Sequence, residues 1–248
     1  MSTEKSAAIV IRMADFSESS RVVTMFTRDF GKVAALAKGA KRLKGPFEAA
    51  LDLLAVCQVV FIRKSSSGLD ILTEAQLQKR FKPRPGDLGS LYGGYYVAEL
   101  LDALSEEYDP HPVLFDEAVL ALERLAGDAP LEISILRFES VILRDIGQLP
   151  AFDACQTCGE PVGAASRYGF QPSQGGLVCQ NCFGEEAPRH LISAGAAAVL
   201  RNLTGAAPAT LRNLAISPSQ MREMRSVVNA AIAGILGRRP KTLRYLPL

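Results

Sequence analysis

The chain of 248 residues has no tryptophan, only two histidines, and a formal charge of just +2 from 28 Lys+Arg against 26 Asp+Glu. Lacking tryptophan, it has few large platforms on which nucleobases could stack. With only His111 and His190, it offers few candidates for histidine-dependent acid–base chemistry. The sequence contains no GxxxxGKS/T phosphate loop, no GxGxxG after a strand, no GxSxG elbow and no HExxH. An enzyme is therefore not expected. No stretch approaches roughly 18 apolar residues without a charge or glycine, and the start MSTEKSAAIV lacks the basic and apolar regions of a secretory leader. Neither secretion nor a membrane span is expected. Apolar residues at 48% and charged residues at 22% are ordinary for folded soluble chains, which excludes disordered and collagen-like classes.

The near-zero charge is an average over unlike segments. Residues 1–82 carry 14 basic and 8 acidic side chains, net +6, while 83–150 carry 4 and 13, net −9. Residues 151–248 carry 10 and 5, net +5. Such asymmetry suggests separate modules, one of them with affinity for polyanions.

The first segment reads as strands. Ala7–Met13, Arg21–Thr27, Val33–Ala37, Leu51–Arg63 and Leu69–Leu77 are rich in β-forming residues and are separated by turn-forming runs. Five strands in this length fit a small closed barrel of the OB type, with a half-open meander as the alternative. Lys82-Pro83-Arg84-Pro85-Gly86 breaks the pattern and places a domain boundary there. Helical periodicity follows: one helix carries Leu88 to Leu104, a second opens at Pro112 and runs to Gly127, and a third covers Leu131–Ile146. A last helix has Ser217 as N-cap, Pro218 at its first position and Gly237 as its stop. Met221, Met224, Val228, Ala231 and Ile235 form its expected core stripe.

Residues 151–188 are rich in Gly, Pro and Cys and show no periodicity, so something other than a hydrophobic core is expected to hold them. Cys155-Gln-Thr-Cys158 and Cys179-Gln-Asn-Cys182 lie 20 residues apart, the spacing of a four-cysteine zinc site. Redox chemistry at a CxxC expects a helix start after a strand of a βαβ unit, and neither pair has that context. A fully cysteine-ligated Zn²⁺ has no open position, so a structural ion is expected. Cys57, in an apolar strand, reads as a small buried residue, and His190 as a surface histidine.

Between Phe30 and Phe47 there is no acidic residue but five cations: Lys32, Lys38, Lys41, Arg42 and Lys44. Arg63 and Lys64, at the end of a long strand, could extend this patch. On an OB-type barrel these residues point to nucleic-acid binding. Only Phe30 and Phe47 flank the run, so phosphate contacts, weak sequence selectivity and steep salt dependence are expected. The acidic run Glu106-Glu107-Tyr-Asp109 reads as a solvated helix end.

Several stretches carry a resemblance across essentially the whole chain. They are Gly31-Lys-Val-Ala-Ala-Leu-Ala-Lys38-Gly39-Ala-Lys41-Arg42, Leu91-Tyr92-Gly-Gly-Tyr-Tyr-Val-Ala-Glu99, Leu136-Arg137-Phe138-Glu139 and the tail Gly237-Arg-Arg-Pro-Lys241-Thr. With this order of parts, the chain resembles the RecO family of bacterial DNA repair and recombination mediators. The resemblance implies an α+β multidomain protein. Its parts are an OB-fold β-barrel over 1–82, a helical domain over 83–150 and 189–248, and an inserted four-cysteine zinc-ribbon-like module over 151–188. It also implies a cytoplasmic, nucleoid-associated protein that binds single- and double-stranded DNA and anneals complementary strands. With RecR, such proteins help load RecA on DNA coated with the single-stranded DNA-binding protein SSB. In the family the acidic, hydrophobic SSB tail docks on the helical domain, and the matching position is Arg137, with Phe138 as its apolar neighbour. Two other classes fit the residues: an RNA-binding transcription or translation factor, and an assembly scaffold without nucleic-acid affinity.

Overall fold

In the computed structural model, which describes residues 2–42, 47, 50–64, 68–163, 167–183, 188, 190–205 and 215–248, the first segment alternates inward and outward side chains as a half-buried sheet requires. Five strands form: β1 (Ser2–Asp15), β2 (Arg21–Thr27), β3 (Gly31–Ala37), β4 (Val56–Arg63) and β5 (Asp70–Lys79). Their order is β1-β2-β3-β5-β4, and β1 pairs with β4 as well as β2, so the ladders form a ring. All pairs are antiparallel except β3 with β5. On β3 the inward residues Val33, Ala35 and Ala37 join Val10, Val23, Met25, Val59, Phe61 and Leu72 in one core. Cys57 is fully buried there, with its thiol on the Ala50 carbonyl at 3.0 Å, and burial pushes that thiol up to about 11.

The expected strand from Leu51 begins only at Val56. Leu54 adopts a left-handed backbone (φ 66°), and its N–H bonds to the Val10 carbonyl at 2.8 Å, which turns the chain before the strand. Leu54 and Ala55 are apolar because they are buried in this turn, not because they extend a ladder.

Two helices follow, α1 (Leu88–Leu104) and α2 (Pro112–Ala126). Asp87 caps α1 by accepting from the Ser90 N–H at 3.0 Å, and Pro112 opens α2. Gly94 brings α1 against Leu54 and Phe81; a Cβ there would sit 2.7 Å from each. The pattern break at Lys82–Gly86 does separate sheet from helix. The first compact unit nevertheless continues through Leu131 and takes in Arg244–Pro247. It continues because α1, α2 and their connection are tied to the strands. Arg28 pairs with Asp116 at 2.9 Å, Lys79 with Glu123 at 2.5 Å, and Phe26 stacks on Phe115 at 6.4 Å.

The second unit comprises Glu132–Leu243 and Leu248. It contains α3 (Leu131–Asp145) from Glu132 onward, then β6 (Ala151–Cys155), β7 (Arg167–Gln171), β8 (Gly176–Cys179), β9 (His190–Ser193), α4 (Ala194–Leu203) and α5 (Pro218–Leu236). Sheet order is β6-β8-β7-β9, with β6 parallel to β8. The expectation that 151–188 lacks a hydrophobic core is corrected. Phe152, Tyr168, Phe170, Leu177, Val178 and Ile192 are all buried, and the sheet also takes in β9 beyond residue 188. Strands of four or five residues are too short to show a period in sequence. In α5 the Ser217–Gln220 capping box, Pro218 and a left-handed Gly237 (φ 66°) form as expected. Ile235, placed in its core stripe, is 40% exposed, while Val227 and Ile232 are buried.

Candidate nucleic-acid interface and cysteine cluster

The basic run leaves β3 as a tight turn. Gly39 takes φ 77°, and the Arg42 N–H closes back on the Gly39 carbonyl at 3.0 Å. Lys41 anchors this turn twice. Its backbone N–H bonds to the Ser19 carbonyl at 3.1 Å, and its ammonium pairs with Asp15 at 2.8 Å. Asp15 also receives Arg21 at 3.2 Å. The hydrogen bond from Lys41, with Arg21 adding to it, holds the Asp15 carboxyl below its ordinary value, although burial opposes this. Lys38 and Arg42 are exposed and make no ion pair among the described residues. Lys44 lies outside the described residues.

The other named cations do not join this group. Lys32 stands at the opposite end of β3. Its ammonium donates to the Asp102 carbonyl at 2.6 Å and approaches the carboxylate at 3.8 Å, and the side chain is 16% exposed. The Arg63 guanidinium lies 3.8 Å over the Tyr108 ring. The Tyr108 hydroxyl donates to Asp70, which also accepts the Lys64 backbone N–H at 2.9 Å. Close beside them, a Cβ on Gly31 (φ 66°) would sit 2.0 Å from the Asp109 carbonyl oxygen. These contacts dock the α1–α2 connection on the sheet, so that end of β3 is occupied by the chain itself. The run Glu106-Glu107-Tyr-Asp109, expected to be merely solvated, supplies that contact, and Lys32 forms an isolated bridge with Glu107. Phe30 and Phe47 are no platforms: Phe30 packs edge-on against Phe61 at 5.6 Å, and Phe47 is 5% exposed.

In the second unit, the turns after β6 and β8 bring Cys155, Cys158, Cys179 and Cys182 together, with their sulfurs all within 4.8 Å of one another. Cys158 and Cys179 Sγ are 3.8 Å apart. Four sulfurs placed tetrahedrally at about 2.3 Å from an ion have edges of roughly 3.8 Å, so the quartet fits a metal ion. The Cys179 N–H points at Cys155 Sγ from 3.3 Å. Burial opposes ionisation of Cys155, but N–H groups of Cys179, Cys158 and Thr157 outweigh it and bring that thiol down to about 6. Hydrogen bonding with Cys158 and Cys179 pushes the Cys182 thiol up to about 12. The Cys155 thiolate forms readily while Cys158 and Cys182 resist following, a charge conflict that a bound cation relieves. His190 is no part of this group. Its Nδ1 lies 2.8 Å from Ser226 Oγ, and the half-buried ring corrects its reading as a plain surface residue.

Arg137 is half-buried and its guanidinium donates to the Leu203 carbonyl at the end of α4. Arg144 donates to the Thr204 carbonyl at 3.3 Å, so two α3 arginines meet the negative end of the α4 dipole. Phe138 is fully buried and offers no surface to a partner, which corrects its expected role. Glu139 was missed as an interacting residue: it is 0% exposed and makes a two-pronged pair with Arg225, one N–O distance being 3.2 Å. No pattern in sequence joins residues so far apart.

Family models described as Recombination protein O N terminal and Recombination protein O C terminal match residues 1–81 and 85–244. The chain is 37% identical to a DNA repair protein RecO of Rhodopirellula baltica over 97% of each chain. It is 34% identical to that of Anaeromyxobacter dehalogenans over 99% of this chain and 96% of the relative. Identity to the Bacillus pumilus protein of the same name is 30%, over 91% and 86%.

Proposed function

The chain belongs to the recombination protein O family, and we propose that it acts in DNA repair and recombination by binding single- and double-stranded DNA and annealing complementary strands. In this reading it works with RecR to help load RecA on SSB-coated DNA, in the cytoplasm at the nucleoid, and without a covalent step of its own. The observation that carries the DNA contact is the turn at Lys38–Arg42: two exposed cations on a backbone that Lys41 locks to the neighbouring hairpin. Cations at fixed positions neutralise phosphates on two strands, lower their repulsion, and leave base pairing to supply the remaining free energy. The ring of ladders, with its single parallel pair, supports reading the first unit as an OB-type barrel.

At the cysteine quartet we assign one structural Zn²⁺. Cys155, Cys158, Cys179 and Cys182 would hold it, and the ion would neutralise their thiolates and tie the β6 and β8 turns together. The acidic, hydrophobic tail of SSB is assigned to the second unit at Arg137, where a guanidinium can receive a terminal carboxylate.

Strand annealing on SSB-coated DNA, run beside DNA titrations at several salt concentrations and a zinc determination on the same preparation, tests this reading. Annealing, about one zinc per chain and a steep salt dependence are expected. A log K versus log salt slope below about two released ions would overturn the electrostatic contact. RNA competing better than DNA would favour the RNA-binding alternative.

A further inference from the structure

The turn at Lys38–Arg42 has a neighbour that the composition gave no reason to expect. Phe16 is 61% exposed in the loop joining β1 and β2. Single exposed apolar side chains are ordinary on protein surfaces, so exposure alone says nothing. The setting of this one is informative. Its backbone is clamped in the loop: Phe16 N–H bonds to the Ser20 carbonyl at 3.0 Å, Ser17 N–H to the same carbonyl at 3.2 Å, and Ser20 N–H to Ser17 Oγ at 3.2 Å. The basic turn is fastened to the same loop by the Lys41–Ser19 hydrogen bond at 3.1 Å and the Lys41–Asp15 pair at 2.8 Å.

Strand register brings the two turns to one edge. Asp15 pairs with Arg21, and Arg21 with Ala37, so Phe16 and Lys38 each leave the sheet one residue beyond the same row. Two ladder spacings separate those strands, about 10 Å. The local charge favours an anion. Asp15 is already answered by Lys41 and Arg21, which leaves Lys38 and Arg42 exposed against Glu18. Among the described residues of the five strands and their loops, Phe16 is the one exposed large hydrophobic side chain, so it offers a single aromatic face and not the apolar patch that a protein partner would cover.

We propose that Phe16 is a base-stacking platform of the DNA site, receiving an unpaired base while Lys38 and Arg42 hold the adjoining phosphates. This rests on the DNA-binding reading and adds to it a contact that single strands alone can make, because bases in a duplex are already stacked and present no free face. It also replaces the purely electrostatic contact expected from a chain without tryptophan.

The absence of tryptophan supplies the test. Phe16→Trp introduces the chain's one tryptophan at the site, whose emission can be excited apart from the six tyrosines, and Phe16→Ala or Phe16→Leu removes the aromatic face, the second while keeping apolar bulk. Titration with an oligo-dT strand, a duplex and an abasic backbone of equal length is expected to show about a tenfold loss for the Ala and Leu variants on oligo-dT only. The salt slope should stay unchanged, and the Trp emission should be quenched by oligo-dT. Equal affinity of Phe16→Ala and the unaltered chain for oligo-dT overturns the stacking role while leaving DNA binding intact. So do unquenched emission at saturation, an equal loss on the abasic strand, and full binding by Phe16→Leu. Failure of the unaltered chain to bind any strand at low salt overturns the DNA reading itself.

Discussion

In the first unit Lys38 and Arg42 stand in solvent at the end of β3, whereas in the second Arg225 and Glu139 face each other at 6% and 0% side-chain exposure. The same kinds of side chain therefore do opposite things. An exposed cation keeps its hydration, adds little to folding, and remains available for a phosphate. A buried pair has lost its water, contributes no contact to a partner, and makes each member indispensable to the other. The contrast recurs within β3: Lys32, six residues before Lys38, is turned to intramolecular docking by the Asp102 carbonyl at 2.6 Å. Position on the strand, not charge, separates an exposed cation from one engaged within the fold.

The largest expected effect breaks the second unit. Removing the assigned zinc with a chelator, or replacing Cys155 and Cys158 with Ser, should abolish the β6–β9 sheet, seen as lost amide protection in those four strands, while the DNA affinity assigned to the first unit persists. Next comes Glu139→Gln, which leaves the Arg225 guanidinium buried without its carboxylate. A loss of about 3–5 kcal/mol in a urea titration is expected, with substantial recovery when Arg225 is also replaced by Met. In the first unit the ordering of effects reverses. Lys38→Ala with Arg42→Ala should leave the urea midpoint within error, slow annealing, and lower the single-strand salt slope by about 1.4. Lys32→Met should lower stability by about 1–2 kcal/mol and leave that slope unchanged. If Lys32→Met lowered the slope as much as the double variant, the contrast between the two ends of β3 would be lost.

Much of the fold was legible along the chain. β2 and α2 were placed closely, and the α5 cap residues Ser217, Pro218 and Gly237 were identified because capping is a local affair of four or five residues. The short strands β6, β7, β8 and β9 and the helix α4 were not picked out. Their apolar residues do not repeat often enough to show a period, and α4 begins as an alanine-rich run that packing defines more than pattern does. At the candidate sites, the four cysteines were readable from spacing alone. The basic patch was readable only as a composition. Of its members, Lys38, Lys41 and Arg42 are gathered in one turn, while Lys32 and Arg63 contact α1 and the α1–α2 connection and Lys64 is bonded through its backbone N–H to Asp70.

By itself, the sequence determined what depends on neighbours along the chain: strand alternation, helix starts and stops, the paired cysteine motifs, and the motifs that carry its family. Only the tertiary structure decided which cations are left for a ligand, which aromatic rings reach water, and that Glu139 meets Arg225 across 86 positions. The physical reason is that desolvation and pairing are properties of the assembled surroundings. Phe30 and Phe47 were absorbed into a core, and Phe16 was held outside it, by strand register that no local pattern of residues expresses.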